Sequence, residues 1–416
     1  MQNSTIHDQQ VARLFGVFRI VFGAYLAWHF AALLPYASEL FSPTGIFTEA
    51  HPSPFHAKWP NPLFFSKWPP LAGVMIGTGV LASVLLCIGR LRRSSALYLW
   101  FLSTCLFTAN PLIANPSLGY TGLLLLLTAL VPLGEAYVLK KDRDLNWKMP
   151  LMIPITAWVL LAAGYSFSGY MKLSSPSWID GSALTHVLEN PLARPNFLRD
   201  ILLSLPEQIM QLLTWSTLTL EIAFVPLVLF RKVRPWAWFA MIFMHLGIMT
   251  VIDFADLSLG MLMVHLFTYN PRWFPARLSE SGNPHTLFID GNCSFCQRSV
   301  RLLMSFDPDR ALRFAPLQGS TAEQLPTEYK LTNDQASDAA VLLEKPNEDS
   351  SKLWRGPDAI LRSLYLAGGP ASLIWPLHLL PKWIKNTSYQ WIAKHRLKLS
   401  KNCPLPTPEQ RELFLP

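Results

Sequence analysis

TLFIDGNCSFCQRSVRLLM (Thr286 to Met304) changes character twice within one short segment. Thr286-Leu287-Phe288-Ile289 is an apolar run of strand length. From Gln297 onward, Val300, Leu303 and Met304 recur at helical spacing. The two cysteines therefore fall at a strand-to-helix turn, Cys293 near the helix N-terminus. Backbone N–H groups left unpaired at such an end stabilise a thiolate and lower its pKa. A C-x-x-C pair in that setting suits thiol–disulfide exchange, with Cys293 attacking and Cys296 resolving. The pair could instead be half of a zinc site, although no second C-x-x-C or paired His follows it, or two inert thiols in a helix cap. Asp290 is either a buried base beside the thiols or a turn residue.

The segment DGNCSFCQRSVRLLMSFDPDRALRFAPLQ (Asp290 to Gln318) resembles the thiol–disulfide oxidoreductase family called DCC after its D-x-x-C-x-x-C motif. LWRGPDAILRSLYLAGGP (Leu353 to Pro370) and CPLPTPEQRELFLP (Cys403 to Pro416) are similar to later segments of the same family. The resemblance covers the last third of the chain. It implies a thioredoxin-like α/β domain over residues 285–416 with a redox-active disulfide. One departure from thioredoxins stands out. They carry a cis-proline before the third strand, whereas Ser337-Asp338-Ala339-Ala340-Val341-Leu342-Leu343 contains no proline. Cys403 is read as an incidental thiol of the tail or, alternatively, a third thiol of the site, and Cys87 and Cys105 as packing residues within apolar spans.

Ahead of this domain the composition is that of a membrane protein. The 416-residue chain is 51% apolar and 15% charged, against about 25% charged in soluble domains. The charge deficit lies before residue 275. Eight apolar stretches are read as bilayer spans: Val11–Leu34, Leu71–Gly89, Ser95–Ile113, Ser117–Gly134, Leu151–Met171, Glu207–Phe230, Pro235–Ile252 and Leu257–Tyr269. The expected fold is thus an α-helical polytopic membrane bundle followed by a thioredoxin-like domain. The expected boundaries are a tail at 1–10, the membrane domain at 11–275, a linker at 276–284 and the thiol domain at 285–416. No cleavable signal peptide is apparent.

The net charge of +8 does not call for nucleic acid, because basic residues cluster in short loops. Arg90-Leu91-Arg92-Arg93, Lys140-Lys141-Asp142-Arg143, Arg231-Lys232-Val233-Arg234, and Arg272 with Arg277 follow alternate spans. The positive-inside rule then places both termini and the thiol domain in the cytoplasm; the expected location is a bacterial inner membrane. In that reducing compartment the cysteines rest as a dithiol.

Several ionisable groups fall within spans: Arg19, His29, Glu221, His245 and His265. Such groups pair with one another or line a cavity. Arg19 pairing with Glu221 is the structural expectation; a pocket for a quinone or other lipid-like ligand is the functional one. YSFSGYMKLSSPSWIDG (Tyr165 to Gly181) resembles the HTTM domain, a membrane fold shared with vitamin K-dependent γ-carboxylase. FRIVFG (Phe18 to Gly23), Glu221, Met244-His245-Leu246 and Asn270-Pro271-Arg272-Trp273 extend that resemblance over roughly residues 11 to 275. It implies that Lys172 is a base acting on a hydroquinone, with Arg19, Glu221, His245 and Trp178 lining the membrane pocket. Read from the residues alone, Lys172 at the outer end of the fifth span suits a lysine snorkelling to the interface. The carboxylase's histidine-bearing turn is represented by Asn115-Pro116-Ser117, without histidine, and its large lumenal domain has no counterpart.

These features support an integral-membrane thiol–disulfide oxidoreductase with no metal and no covalent cofactor. Its expected partners are the bilayer, a quinone or lipid-like ligand, and a thiol-containing protein or small redox molecule. Two alternatives stay open: a γ-carboxylase-like modifying enzyme using Lys172 with the thiol domain as reductant, and a non-enzymatic membrane anchor or assembly factor.

Overall fold

The computed structural model describes residues 2–47, 51–56, 58–138, 144, 146–253, 255–270, 273, 277–278, 283–290, 294–307, 310–323, 340–345, 351–399 and 413–415. The chain divides into two compact units, Val11–Tyr269, and Met1–Gln10 with Asn270–Pro416.

The first unit is mostly helical. Its principal helices are α1 (Gln2–Leu33), α2 (Leu71–Ile88), α3 (Arg92–Ala109), α4 (Pro116–Leu130), α5 (Met152–Lys172), α6 (Glu207–Ile222), α7 (Arg234–Val251) and α8 (Ala255–Thr268). Helix α3 packs on α2 and α4, α8 packs on α4, α5 and α7, and α6 packs on α5. Local chemistry sets the ends. Asn115 caps α4 by accepting from the Ser117 N–H at 2.9 Å, and Pro116 follows where no donor is needed. Helix α2 stops at Gly89, whose φ of +77° suits glycine; a Cβ there would come within 2.9 Å of the Arg19 guanidinium.

Among the described residues, three segments are long and apolar enough to cross a membrane: Gln10–Phe41, Leu71–Ile88 and Met152–Lys172. The expectation of eight crossings is therefore reduced to three candidates. Several of the other apolar stretches are broken or short. Helix α4 ends at Leu130, just before Val131-Pro132. The sixth stretch breaks at Ala223 into α6 and a short Phe224–Leu229 helix containing Pro226. Helix α8 has 14 residues, and at about 1.5 Å per residue that is less than a hydrocarbon core of ~30 Å. Outward faces of the helices carry exposed Val21, Leu81, Leu97, Val159, Phe167, Leu212 and Phe243.

A buried ionic clasp ties this unit together. Glu135 Oε1 lies 3.1 Å from the Nε of both Arg19 and Arg92, all three side chains being almost fully buried. The contacts are ionic; neither Nε is aligned for a hydrogen bond. Arg19 also donates to the carbonyls of Leu86, Cys87 and Tyr137. Arg92 donates to those of Thr128, Val131 and Pro132. The two guanidinium groups thus satisfy orphan carbonyls at the C-terminal ends of α2 and α4. This corrects the expected Arg19–Glu221 pairing. It also withdraws Arg92 from its expected loop cluster, leaving Arg90 and Arg93 exposed.

The second unit holds a four-stranded mixed sheet in the order β2-β1-β3-β4. The strands are β1 (His285–Ile289), β2 (Leu312–Pro316), β3 (Val341–Glu344) and β4 (Lys352–Arg355). Strand β1 runs parallel to β2 and antiparallel to β3, and β4 is antiparallel to β3. Helices α9 (Ser294–Phe306), α10 (Gly356–Ala367) and α11 (Lys382–Leu399) accompany it. Leu287, Ile289, Phe314 and Leu342 share one core with Val300, Leu303 and Met304 of α9 and Ala359 and Leu366 of α10. Near the C-terminus, the Phe314 N–H donates to the Leu413 carbonyl and the Leu415 N–H to the Phe314 carbonyl, so the tail lies along β2.

Candidate functional site

The cysteine turn lies between β1 and α9. Burial on both faces pins β1, with Leu287, Phe288 and Ile289 all below a tenth exposed. The amphipathic pattern of α9 then turns Val300, Leu303 and Met304 into the same core. Cys296 falls in the first turn of α9 and is half-buried. Asp290, the residue after β1, lies 3.4 Å from the Gln318 amide nitrogen. Gly291, Asn292 and Cys293 lie outside the described residues, as do Ser337 to Ala339 and Cys403.

Beside this turn is a cavity of about 580 Å³, lined by Ile289, Asp290, Cys296 and apolar residues of all three helices. Two polar groups in its wall are engaged within the protein. Lys385 Nζ donates to Asp358 at 2.6 Å and to the His378 carbonyl at 3.0 Å. The Tyr389 hydroxyl accepts from the Ala340 N–H at 3.0 Å.

Residues 287–402 match the DCC1-like thiol-disulfide oxidoreductase family. The uncharacterized protein YuxK of Bacillus subtilis (strain 168) is 30% identical over 141 residues, covering 33% of this chain and 98% of that protein. The chain belongs to the DCC1-like thiol-disulfide oxidoreductase family. No solved structure matches it. The DCC1-like domain suggests a thiol redox function for the second unit, and its motif cysteines are the groups such chemistry requires.

The helical unit, outside the DCC1-like match, brings several sequence-selected residues together. Lys172, the last residue of α5, forms an ion pair with buried Glu221 of α6. Its Nζ also donates to Ser168 at 3.0 Å and sits 5.0 Å from the centre of the Trp178 ring. Lys172 thus has a carboxylate, a hydroxyl and an aromatic ring as neighbours. His245 lies in a neighbouring buried chain. The Tyr165 hydroxyl is 2.7 Å from His245 Nε2 and 2.8 Å from His265 Nε2. A hydroxyl carries one proton, so it donates to one imidazole and accepts from the other. His245 Nδ1 reaches the Ser258 hydroxyl at 3.4 Å. Arg19 stands apart from these partners, in the Glu135 clasp.

A further polar node centres on Asp256 at the start of α8. Its carboxylate accepts from the Tyr25 hydroxyl at 2.8 Å and from Asn115 at 3.0 Å, and it lies 3.1 Å from His29 Nδ1. Glu135, Arg92, Tyr165 and Asp256 were not among the site residues expected from sequence. Glu135 and Asp256 fall at or beyond helix ends, and Tyr165 reads as an aromatic core position; the Tyr165-to-Gly181 resemblance was the one signal near it. Among the described residues, no group of three His, Cys, Asp or Glu side chains could hold a metal.

Proposed function

We propose that this protein is an integral-membrane thiol–disulfide oxidoreductase of a bacterial inner membrane. It exchanges electrons through Cys293 and Cys296, coupled to a quinone or lipid-like ligand in the helical unit. The observation that carries the thiol half is the C-x-x-C at the β1–α9 turn of a DCC1-like domain. The strand order β2-β1-β3-β4, with that turn after β1, supports a thioredoxin-like reading of the domain. Three bilayer-length apolar segments and their exposed Val, Leu and Phe side chains support membrane integration. An even number of crossings, as the alternating basic loops favour, puts both termini and the thiol domain in the cytoplasm.

The HTTM resemblance supplies the second half, and the contact of Lys172 with Glu221 and Trp178 supports it. That couple offers an ammonium to hold a developing oxyanion and a carboxylate to receive a proton. The same contact favours, as second reading, a γ-carboxylase-like modification with Lys172 as base and the thiol domain as reductant. Incorporation of CO₂ into a substrate would select it.

The test of the thiol half uses purified full-length protein. Mild oxidation is expected to give a Cys293–Cys296 disulfide, mapped by mass spectrometry, and Cys293→Ser is expected to abolish it. A folded protein that forms no such disulfide overturns the proposal.

A further inference from the structure

The cavity beside Cys296 has the size of a small-molecule site, since such pockets span about 300–1,000 Å³, and its volume is about 580 Å³. Leu303 of α9, Leu361 and Leu364 of α10, and Ile384 and Ile392 of α11 supply apolar wall. An extended peptide inserted here would bury backbone N–H and C=O groups against hydrocarbon, at a cost of roughly 1–3 kcal/mol each. Lys385 is held by Asp358 and the His378 carbonyl, and the Tyr389 hydroxyl accepts from the Ala340 N–H. The cavity therefore selects an apolar body over a peptide or a charged metabolite.

A second observation shows where such a body comes from. Trp383 and Trp391 are 71% and 59% exposed, and each adjoins a wall residue of α11, Ile384 or Ile392. Leu379, 85% exposed, adjoins Leu380 of the wall. Lys382 and Lys394 flank the two tryptophans along α11. Exposed Trp interleaved with Lys on α11, with exposed Leu379 just ahead of it, is the composition of a segment that lies in a lipid headgroup layer.

The wall also contains a thiol of the redox motif, so a ligand that uses it must accept or give electrons. A simple acyl lipid cannot. We propose that this cavity docks a lipophilic quinone from the bilayer surface, next to Cys296, for reduction by the motif cysteines. Two S–H bonds break and one S–S bond forms. The two electrons and two protons released reduce the quinone's carbonyl oxygens to the hydroxyls of a hydroquinone. This rests on the thiol-exchange reading above and adds to it a docking place for the quinone in the thiol domain itself.

The experiment uses reduced full-length protein in lipid nanodiscs. The probe is a fully substituted benzoquinone with a decyl tail, which offers no free ring carbon for thiol addition. Diamide, a small soluble thiol oxidant, is the control. In the wild type both are expected to form the Cys293–Cys296 disulfide. Leu361→Trp and Ile392→Trp, which fill the cavity, are expected to slow the decyl-quinone reaction by about tenfold or more, the equivalent of roughly 1.4 kcal/mol of lost apolar contact, with the diamide rate unchanged. Unchanged decyl-quinone rates in both variants overturn the proposal. So does an alkyl hydroperoxide of equal tail length that oxidises the pair faster than the quinone. If the variants lose diamide reactivity through misfolding, Cys293→Ser protein decides: decyl hydroquinone must slow alkylation of Cys296 more than the tailless hydroquinone does, and equal slowing overturns the cavity. Failure of diamide to oxidise the wild type instead removes the underlying thiol-exchange reading.

Discussion

Lys172 and Glu221 show how a single pair separates structure from function. Glu221 is buried and Lys172 is about a quarter exposed, so each side chain depends on the other for charge compensation. Lys172→Ala strands a buried carboxylate and is expected to cost about 1–3 kcal/mol. Lys172→Met combined with Glu221→Met removes both charges and is expected to recover most of that stability. If the pair also serves a hydroquinone, neither form recovers quinone-linked turnover, which falls by about 10²-fold as for loss of an acid–base group. Thermal unfolding and turnover in the same nanodisc sample check both halves. Recovery of stability and turnover together in the double variant would leave the pair a structural clasp. The sequence marked both residues but not their partnership. Arg19 was the obvious cation for Glu221, yet it pairs with Glu135, a loop acid beyond the apolar spans. Hydropathy marks which charges are costly; packing chooses their partners.

At the level of elements, the DCC1-like sheet is held by two titratable side chains. His285 opens β1; its Nε2 lies 3.0 Å from the Arg277 carbonyl and its Nδ1 accepts from the Lys345 N–H at 3.1 Å. That acceptance requires neutral Nδ1, so Nε2 carries the proton. Burial holds the imidazole below its usual range, against the opposing pull of the Arg277 carbonyl and Glu344. Glu344 closes β3 and accepts from Arg362 at 2.6 and 2.9 Å and from Trp354 at 2.6 Å. Burial alone would raise its carboxyl, but the bonds from Arg362 and Trp354 outweigh burial and hold it below its usual range.

Both depressions act in one direction. The unfolded chain takes up a proton at His285 near pH 6.5 and at Glu344 near about 4.3, before the folded chain does. Stability of the sheet is therefore full above about pH 7 and falls on acidification, first through His285 and then through Glu344. Hydrogen exchange of β1 and β3 peptides, corrected for the intrinsic rate at each pH, is expected to show lower protection at pH 5.5 than at pH 7.5. His285→Gln is expected to flatten that interval and leave the lower one. Equal pH dependence in wild type and variant would mean that His285 carries none of it. These elements were legible because β1 is a short apolar run and α9 has one clean helical period, matched by His285–Ile289 and Ser294–Phe306. The contacts closing the sheet, Glu344 with Arg362 and the tail with Phe314, join residues distant in sequence and leave no local pattern.

For the whole molecule, the number of membrane crossings fixes which side each terminus occupies. Eight crossings return the chain to the side where it began, whereas three candidate crossings place the termini on opposite sides. The basic loops favour the even count. Even with Arg92 withdrawn into the Glu135 clasp, Arg90 and Arg93 after α2, and Arg231 and Lys232 before α7, stay exposed. Helices too short to span alone can still cross where the bilayer thins or where neighbours cover their ends. We therefore expect the same side for both termini, and the cytoplasm for both. A membrane-impermeant thiol reagent on intact cells should leave Cys293, Cys296 and an introduced Ser4→Cys unlabelled, with all three reacting after lysis. Labelling of Ser4→Cys alone would establish an odd number of crossings and retain a cytoplasmic thiol domain. Labelling of Cys293 or Cys296 from outside would move the thiol domain into an oxidising compartment, where a resting disulfide replaces the dithiol and electrons must flow into the pair before it can reduce anything.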